Sequence, residues 1–253
     1  MCFSEKLLTS ERADTKSQGQ NMNIRLSIDS VSIFAKILCS QSIQGKLMER
    51  SEYWDDIYKK KDEMHQSWFQ ENPEYSLNLI NELRLEKNAA IIDIGSGESR
   101  LVDHLLAQQY RDITLLEISA TALEKTKNRL GANTEKIKFV TTDVTLFRPE
   151  QKYDLWHDRA VFHFLTNQSD IDNYLECLHC ALKIGGHLII STFSKTGPEK
   201  CSGLTISKYS AEELKHVFGF FFRDSSCYEM THTTPWGSTQ DFVYCVFKNY
   251  KGC

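Results

Sequence analysis

From residue 89 onward, short apolar runs alternate with segments whose apolar residues recur every three or four positions, the pattern of strands joined by crossover helices. Ala89 to Ile92, Ile113 to Ile118, Ile137 to Thr142 and His187 to Phe193 read as the first, second, third and fifth strands, with the fourth around Tyr153-Asp154-Leu155. Leu101, Val102, Leu105 and Leu106 give the segment after the first run one apolar face. A helix from Ser119 to Leu130 starts at a capping residue and stops at Gly131; another runs from Ser169 to Leu182, ending before Gly185. A loop through Gly197, Pro198, Cys201 and Gly203 leads to a helix at Ala211 to Val217. Phe220 to Tyr228 and Asp241 to Lys248 read as two further strands, the second alternating Phe242, Tyr244 and Val246 with Val243, Cys245 and Phe247. The elements predict an α/β fold, doubly wound, with a seven-stranded mostly parallel sheet, an antiparallel edge strand and helices on both faces.

The first strand runs into Asp93-Ile-Gly95-Ser96-Gly97-Glu98-Ser99-Arg100 before the amphipathic segment begins. A strand-end acid, two glycines and a helix start make a tight turn whose backbone N–H groups can approach a ligand, and a plain strand-turn-helix is the alternative. A dinucleotide fingerprint places a third glycine where this chain has Arg100, and a long side chain there argues against a nicotinamide cofactor. An acid two positions before the first glycine suits instead a ligand carrying an ammonium group, as S-adenosylmethionine does. Glu117 ends the second strand, 24 residues after Asp93, positioned for two ribose hydroxyls; it also suits the N-terminus of the next helix. Asp143 follows the third strand, either to accept from an adenine amino group with Val144 against the ring, or as a turn former. In open α/β sheets ligands bind outside the carboxyl ends of the strands, so Asp93, Glu117 and Asp143 are expected to converge on one crevice.

Over residues 50 to 248 the chain resembles the class I S-adenosylmethionine-dependent methyltransferases, whose fold is Rossmann-like. The matching pieces are Asp93-Ile-Gly95-Ser96-Gly97, Glu117-Ile118, Asp143-Val144, Tyr153-Asp154-Leu155 and Leu182-Lys-Ile-Gly185-Gly186-His-Leu188. Upstream, Tyr53-Trp54-Asp55-Asp56-Ile57-Tyr58 and Ser67-Trp68-Phe69 are similar to the N-terminal segment of the lysine methyltransferases of elongation factor 1A and citrate synthase. The resemblance implies S-adenosylmethionine as cofactor, with Trp54, Tyr58 and Trp68 helping to cover it. Ser99 stands where many members have a third glycine. After the fourth strand, Trp156-His157-Asp158-Arg159-Ala160-Val161-Phe162-His163-Phe164 does not look like the lysine methyltransferases, so the substrate class does not transfer.

Methyl transfer needs the nucleophile held in line and water excluded more than it needs acid-base power. The catalytic candidates lie at the carboxyl end of the fourth strand: Asp158 for the methionine part of the cofactor or a cationic substrate, Arg159 for a carboxylate, His163 as a base. Each has a structural alternative, since Arg159 can pair with Asp158 and His163 can be a core histidine between Phe162 and Phe164. The segment Thr231 to Gln240 is either a substrate wall, with Trp236 and Gln240 pointing inward, or a hairpin turn around Pro235 and Gly237. The expected activity is methyl transfer to a small molecule or a protein lysine; the alternative is a non-catalytic S-adenosylmethionine-binding module that works through a partner protein.

With 253 residues, 41% hydrophobic and 25% charged, the chain can bury a full α/β core. A net charge of −4 gives no sign of a nucleic-acid partner, and Lys59-Lys60-Lys61 reads as a solvated helix face. Cys177 and Cys180 share a C-x-x-C spacing but fall on the buried face of a helical pattern, so no metal site is expected. The other six cysteines are scattered and read as reduced, which points to a cytoplasmic enzyme. Residues 1–47 form a polar extension, expected to be disordered or loosely docked with a short helix near Ile33, before a domain at 48–253. The apolar patch there is too short and interrupted to span a bilayer, and a monomer is expected.

Overall fold

A computed structural model describes residues 45 and 48–252. The expected polar extension therefore lies, apart from Gly45, outside the described residues. A helix at 48–60, α1, is followed by α2 (Glu74–Glu82), β1 (Ala90–Ile94), α3 (Leu101–Ala107), β2 (Asp112–Glu117), α4 (Ala120–Leu130), β3 (Ile137–Thr141), β4 (Tyr153–Arg159), α5 (Gln168–Ala181) and β5 (Leu182–Phe193). A small hairpin of β6 (Lys200–Cys201) and β7 (Leu204–Thr205) leads to α6 (Ala211–Phe218), β8 (Phe222–Thr233) and β9 (Thr239–Asn249).

Seven strands form one sheet in the order β3-β2-β1-β4-β5-β9-β8. The first five are parallel, and β9 runs antiparallel to both of its neighbours. The sheet has the expected antiparallel strand, but that strand lies one position in from the edge, because β9 folds back from β8 and inserts beside β5. Strand order switches direction between β1 and β4, which leaves a crevice above their carboxyl ends.

The alternation read in β9 separates two apolar layers. Val243, Cys245 and Phe247 join Ile92, Ile94 and Trp156 under α5 and α6. Phe242 and Tyr244 join Ile91 and Leu155 under α2, α3 and α4. Every residue of β1 is buried, as a central strand covered on both faces requires. Each fully buried leucine or isoleucine contributes roughly 1.5–3 kcal/mol through removal from water.

Local signals set the helix ends. The Ser119 hydroxyl accepts from Ala122 N at 3.1 Å, and α4 stops at Gly131 with φ +55°. Asn167, rather than Ser169, caps α5 by accepting from Asp170 N at 3.0 Å. Leu182, read as helical, begins β5 instead, and the pairing with β4 skips from Tyr153–Leu182 to Leu155–His187, so the glycine pair bulges outward. The loop through Cys201 and Gly203 is the β6–β7 hairpin, a pairing its polar sequence did not signal. Thr234 to Ser238 is a hairpin turn, with Gly237 N donating to Thr234 O at 2.9 Å, and Trp236 is exposed at its tip.

The cysteines correct the sequence reading. Cys227 and Cys245 face each other across β8 and β9 and form a disulfide, while Cys177 and Cys201 are free and buried. With Trp236 at the centre of the turn, the two partners stand at equal distance along the two arms of the hairpin. The bond removes the argument from uniformly reduced thiols to a cytoplasmic compartment. No helix among the described residues is long and apolar enough to cross a membrane.

Non-reducing peptide mapping is expected to recover the Cys227 peptide linked to the Cys245 peptide. Denaturant unfolding with and without dithiothreitol should show a loss on reduction of up to about 3 kcal/mol, as for a loop of this length.

Candidate functional site

The glycine turn is built by close approach. Gly95 and Gly97 have φ of +58° and +50°, and an added Cβ would run into the Val161 side chain at Gly95 and the Tyr58 hydroxyl at Gly97. Only glycine lets β1 turn here while α1 and the segment after β4 press on it.

Glu117, buried at the tip of β2, holds the turn from the other side. One carboxylate oxygen accepts from Gly97 N and the other from Ser119 N, both at 2.9 Å. Burial pushes its pKa up to about 7, against the opposing pull of the N–H groups of Ser119, Gly97 and Ile118. At the tip of β3, Asp143 caps the turn that follows, accepting from Thr145 N at 2.8 Å and Thr145 Oγ1 at 2.7 Å. Its second oxygen takes a hydrogen bond from Arg50 Nη1 at 3.1 Å, and the other Arg50 nitrogen donates to Asp170.

Helix α1 is docked over these strand tips by polar contacts. The Asp55 carboxylate accepts from Ser119 Oγ at 2.5 Å and Thr121 N at 3.0 Å, Ser51 Oγ donates to Ile118 O at 3.2 Å, and the Tyr53 hydroxyl donates to Ser202 O in the small hairpin. Burial would raise the Asp55 pKa, but its hydrogen bonds outweigh that and lower it. The same helix turns Trp54 and Tyr58 inward. Trp54 lies 5.1 Å from Phe164 and 6.1 Å from Trp68, centroid to centroid, and Tyr58 lies 6.3 Å from Trp68.

Beneath this aromatic roof is a cavity of about 340 Å³ at the carboxyl ends of the parallel strands. Gly95, Glu117, Ile118, Asp143 and Val144 line one side. Arg159, Val161 and Phe164 line the other, with Cys201, Leu204 and Thr205 of the hairpin closing it.

A family described as "Methyltransferase domain" matches residues 92–188, the stretch that carries the glycine turn and the strand-tip acids. Malonyl-[acyl-carrier protein] O-methyltransferase 1 of Ilyobacter polytropus is 32% identical over 43% of this chain and 39% of its own length. EEF1A lysine methyltransferase 2 of Danio rerio is 26% identical over 62% of this chain and 74% of its own. Residues 92–188 carry a methyltransferase domain, and the chain is similar to the class I S-adenosylmethionine-dependent methyltransferases. In fold, the chain superposes on the 1,6-didemethyltoxoflavin-N1-methyltransferase of Burkholderia thailandensis with a TM-score of 0.56, at 16% identity over 93% of this chain and 100% of the other. The chain spans 39% of the length of the bacterial O-methyltransferases it matches.

Several expected site residues lie elsewhere. Asp93 does not reach the cavity, because Ile92 and Ile94 take the face that leads there. Instead its Oδ1 lies 2.6 Å from His157 Nδ1, and His157 Nε2 lies 2.9 Å from Ser76 Oγ. Asp, His and Ser follow one another as in a hydrolytic triad, but the three are only 1–3% exposed and none lines the cavity, so Ser76 has no path to a substrate. The chain of bonds ties α2 to β4 and β1. Ser96 and Gly97 sit behind the wall and shape it.

Asp158 is also a correction. It points into the layer beneath α5, accepting from Tyr174 OH at 2.7 Å and from Val161 N at 3.0 Å, and burial pushes its pKa up to about 6. It contacts neither Arg159 nor the cavity. His163 is fully buried between Phe164 and Phe193, accepts from Phe193 N at 3.4 Å, and is pushed down to about 3 by burial, so it is a core histidine and not a base. Of the three catalytic candidates only Arg159 meets the cavity, with one nitrogen donating to Gln70 Oε1 at 2.7 Å and another to Trp68 O. Among the described residues, no group of three or more His, Cys, Asp and Glu could hold a metal. Arg50 escaped the sequence reading, although its spacing of four from Trp54, and of eight from Tyr58, places it on their helix face.

Two substitutions test this construction. Gly95→Ala is expected to destabilise by more than the about 1–2 kcal/mol that the left-handed backbone costs an L-residue, because Val161 must also move. Tyr174→Phe takes a donor from buried Asp158 and should cost about 1–3 kcal/mol in denaturant unfolding at pH 8. The folded state keeps Asp158 protonated up to about pH 6, so the cost at pH 5 should be smaller.

Proposed function

We propose that residues 48–253 form an S-adenosylmethionine-dependent methyltransferase that moves a methyl group to a small molecule or a protein lysine. One observation carries the reading: carboxylates at two neighbouring strand tips, Glu117 and Asp143, face a single cavity floored by a glycine turn that no Cβ could enter. The names of the relatives print a malonyl-[acyl-carrier protein] and a lysine as acceptors, and the small-molecule type is that of the fold neighbour that methylates 1,6-didemethyltoxoflavin.

The residues fit the cofactor. When bound, S-adenosylmethionine supplies an activated methyl group on a sulfonium centre. Glu117 keeps free lone pairs on both oxygens for the two ribose hydroxyls after its two backbone bonds are made. Asp143 would accept from the adenine amino group, with Val144 and Ile118 against the ring. Trp54, Tyr58 and Trp68 exclude water and place aromatic faces toward a cationic centre. Among the described residues no histidine lines the cavity, and the contribution the chain makes through this wall is position and desolvation.

Isothermal titration is expected to show S-adenosylmethionine binding, and its failure at millimolar cofactor would remove the reading. A lysate incubated with radiolabelled cofactor and split into protein and small-molecule fractions identifies the acceptor class by where the label lands.

The Glu117 carboxyl gives a pH signature. Its folded-state pKa stands above the ordinary value, so stability falls as pH rises toward about 7, while ribose binding favours the carboxylate that forms over the same interval. Affinity for S-adenosylhomocysteine should therefore rise by roughly tenfold from pH 6 to pH 8, and Glu117→Gln should flatten the dependence.

A further inference from the structure

Among the described residues two arginines line the cavity, and one of them is neutralised. Arg50 is paired with Asp143 and Asp170. Arg159 donates to the neutral Gln70 side chain and the Trp68 carbonyl, and among the described residues no carboxylate is paired with it. Its guanidinium is half-buried in a wall it shares with the apolar side chains of Trp54, Trp68, Val161, Phe164 and Leu204. A partly desolvated guanidinium with unused donors is a site for a planar anion.

The acids of the cavity lie on the opposite side. Glu117 and Asp143 sit on β2 and β3, committed to backbone groups, Thr145 and Arg50, whereas Arg159 stands at the end of β4 next to the hairpin. The part of the cavity left for an acceptor is thus apolar and aromatic with one positive charge. A lysine ammonium brought there would meet like charge without a counter-ion.

We infer that the acceptor is a small molecule with an apolar body and a carboxylate, and that Arg159 is the specificity-determining residue that binds this carboxylate. The inference rests on the methyltransferase reading above and narrows its acceptor to an anionic small molecule. Trp68 and Gln70 fix the direction of the guanidinium, and His232, whose Nε2 lies 2.7 Å from Ser67 O, braces the same loop from β8.

The test uses the full chain saturated with S-adenosylhomocysteine and three probes of one shape: phenylacetate, phenylacetamide and phenethylamine. Binding is read from the fluorescence of the cavity tryptophans. Wild type is expected to prefer the anion over the neutral amide by about tenfold or more, the size of a charge-assisted bidentate contact, and to bind the amine least. Arg159→Lys should keep most of that preference and Arg159→Gln should abolish it. Equal binding of the three probes by wild type overturns the inference without touching the cofactor site. Loss of S-adenosylhomocysteine binding in Arg159→Gln, with no anion preference in wild type, assigns the arginine to the methionyl carboxylate and also overturns it. If wild type fails to bind S-adenosylhomocysteine at all, the methyltransferase reading falls and takes the inference with it.

Discussion

The two oxygens of Glu117 close a bridge between backbone groups that the chain order keeps apart. The Gly97 N–H belongs to the turn after β1 and the Ser119 N–H to the start of α4, and both reach the same buried carboxylate. Without it, two amides would lose their acceptor in a site with little access to water, where an unpaired donor costs about 1–3 kcal/mol. The bridge fixes the distance between the floor and the side wall of the cavity. Because Ser119 also receives Asp55 from α1, the roof is registered against the same point. Floor, wall and roof thus share one electrostatic anchor, which explains why an acid is kept in a place where burial opposes its ionisation.

Charge is distributed in the cavity with a direction. The β2 and β3 side offers acceptors for hydroxyl and amino groups, and the β4 side offers donors. The apolar roof between them strengthens both by lowering the local dielectric. A ligand pair laid across this gradient is oriented by polarity before any contact specific to its shape, and such orientation is what a transfer between two bound ligands needs for rate.

Much of this arrangement was legible in the residues. The parity of β9 assigned its two faces correctly, and the glycines and strand-tip acids Glu117 and Asp143 located the crevice, because each depends on local backbone geometry. Asp93 and Asp158 turn away from the cavity, and His163 takes its core alternative, for one reason. Whether a polar side chain near a strand end faces a ligand or a helix layer depends on the partners across the sheet, here His157, Tyr174 and Phe193, which are 64, 16 and 30 residues away in sequence. Strand parity alone would have turned Asp93 away from Ile92 and Ile94. The Cys227–Cys245 pair was hidden in the same manner, since its register depends on where the hairpin turns.

The contact between Tyr53 and Ser202 joins positions 149 residues apart. During synthesis on the ribosome, α1 emerges long before the hairpin that holds it, so its inward-facing indole and phenol rings remain without their final neighbours until most of the domain has been made. The Tyr53 contact therefore has a large loop to close, while the contacts of α1 with Ser119, Thr121 and Ile118 close smaller ones. A nascent chain that captures its ligand at that moment would gain the roof and the bound molecule together.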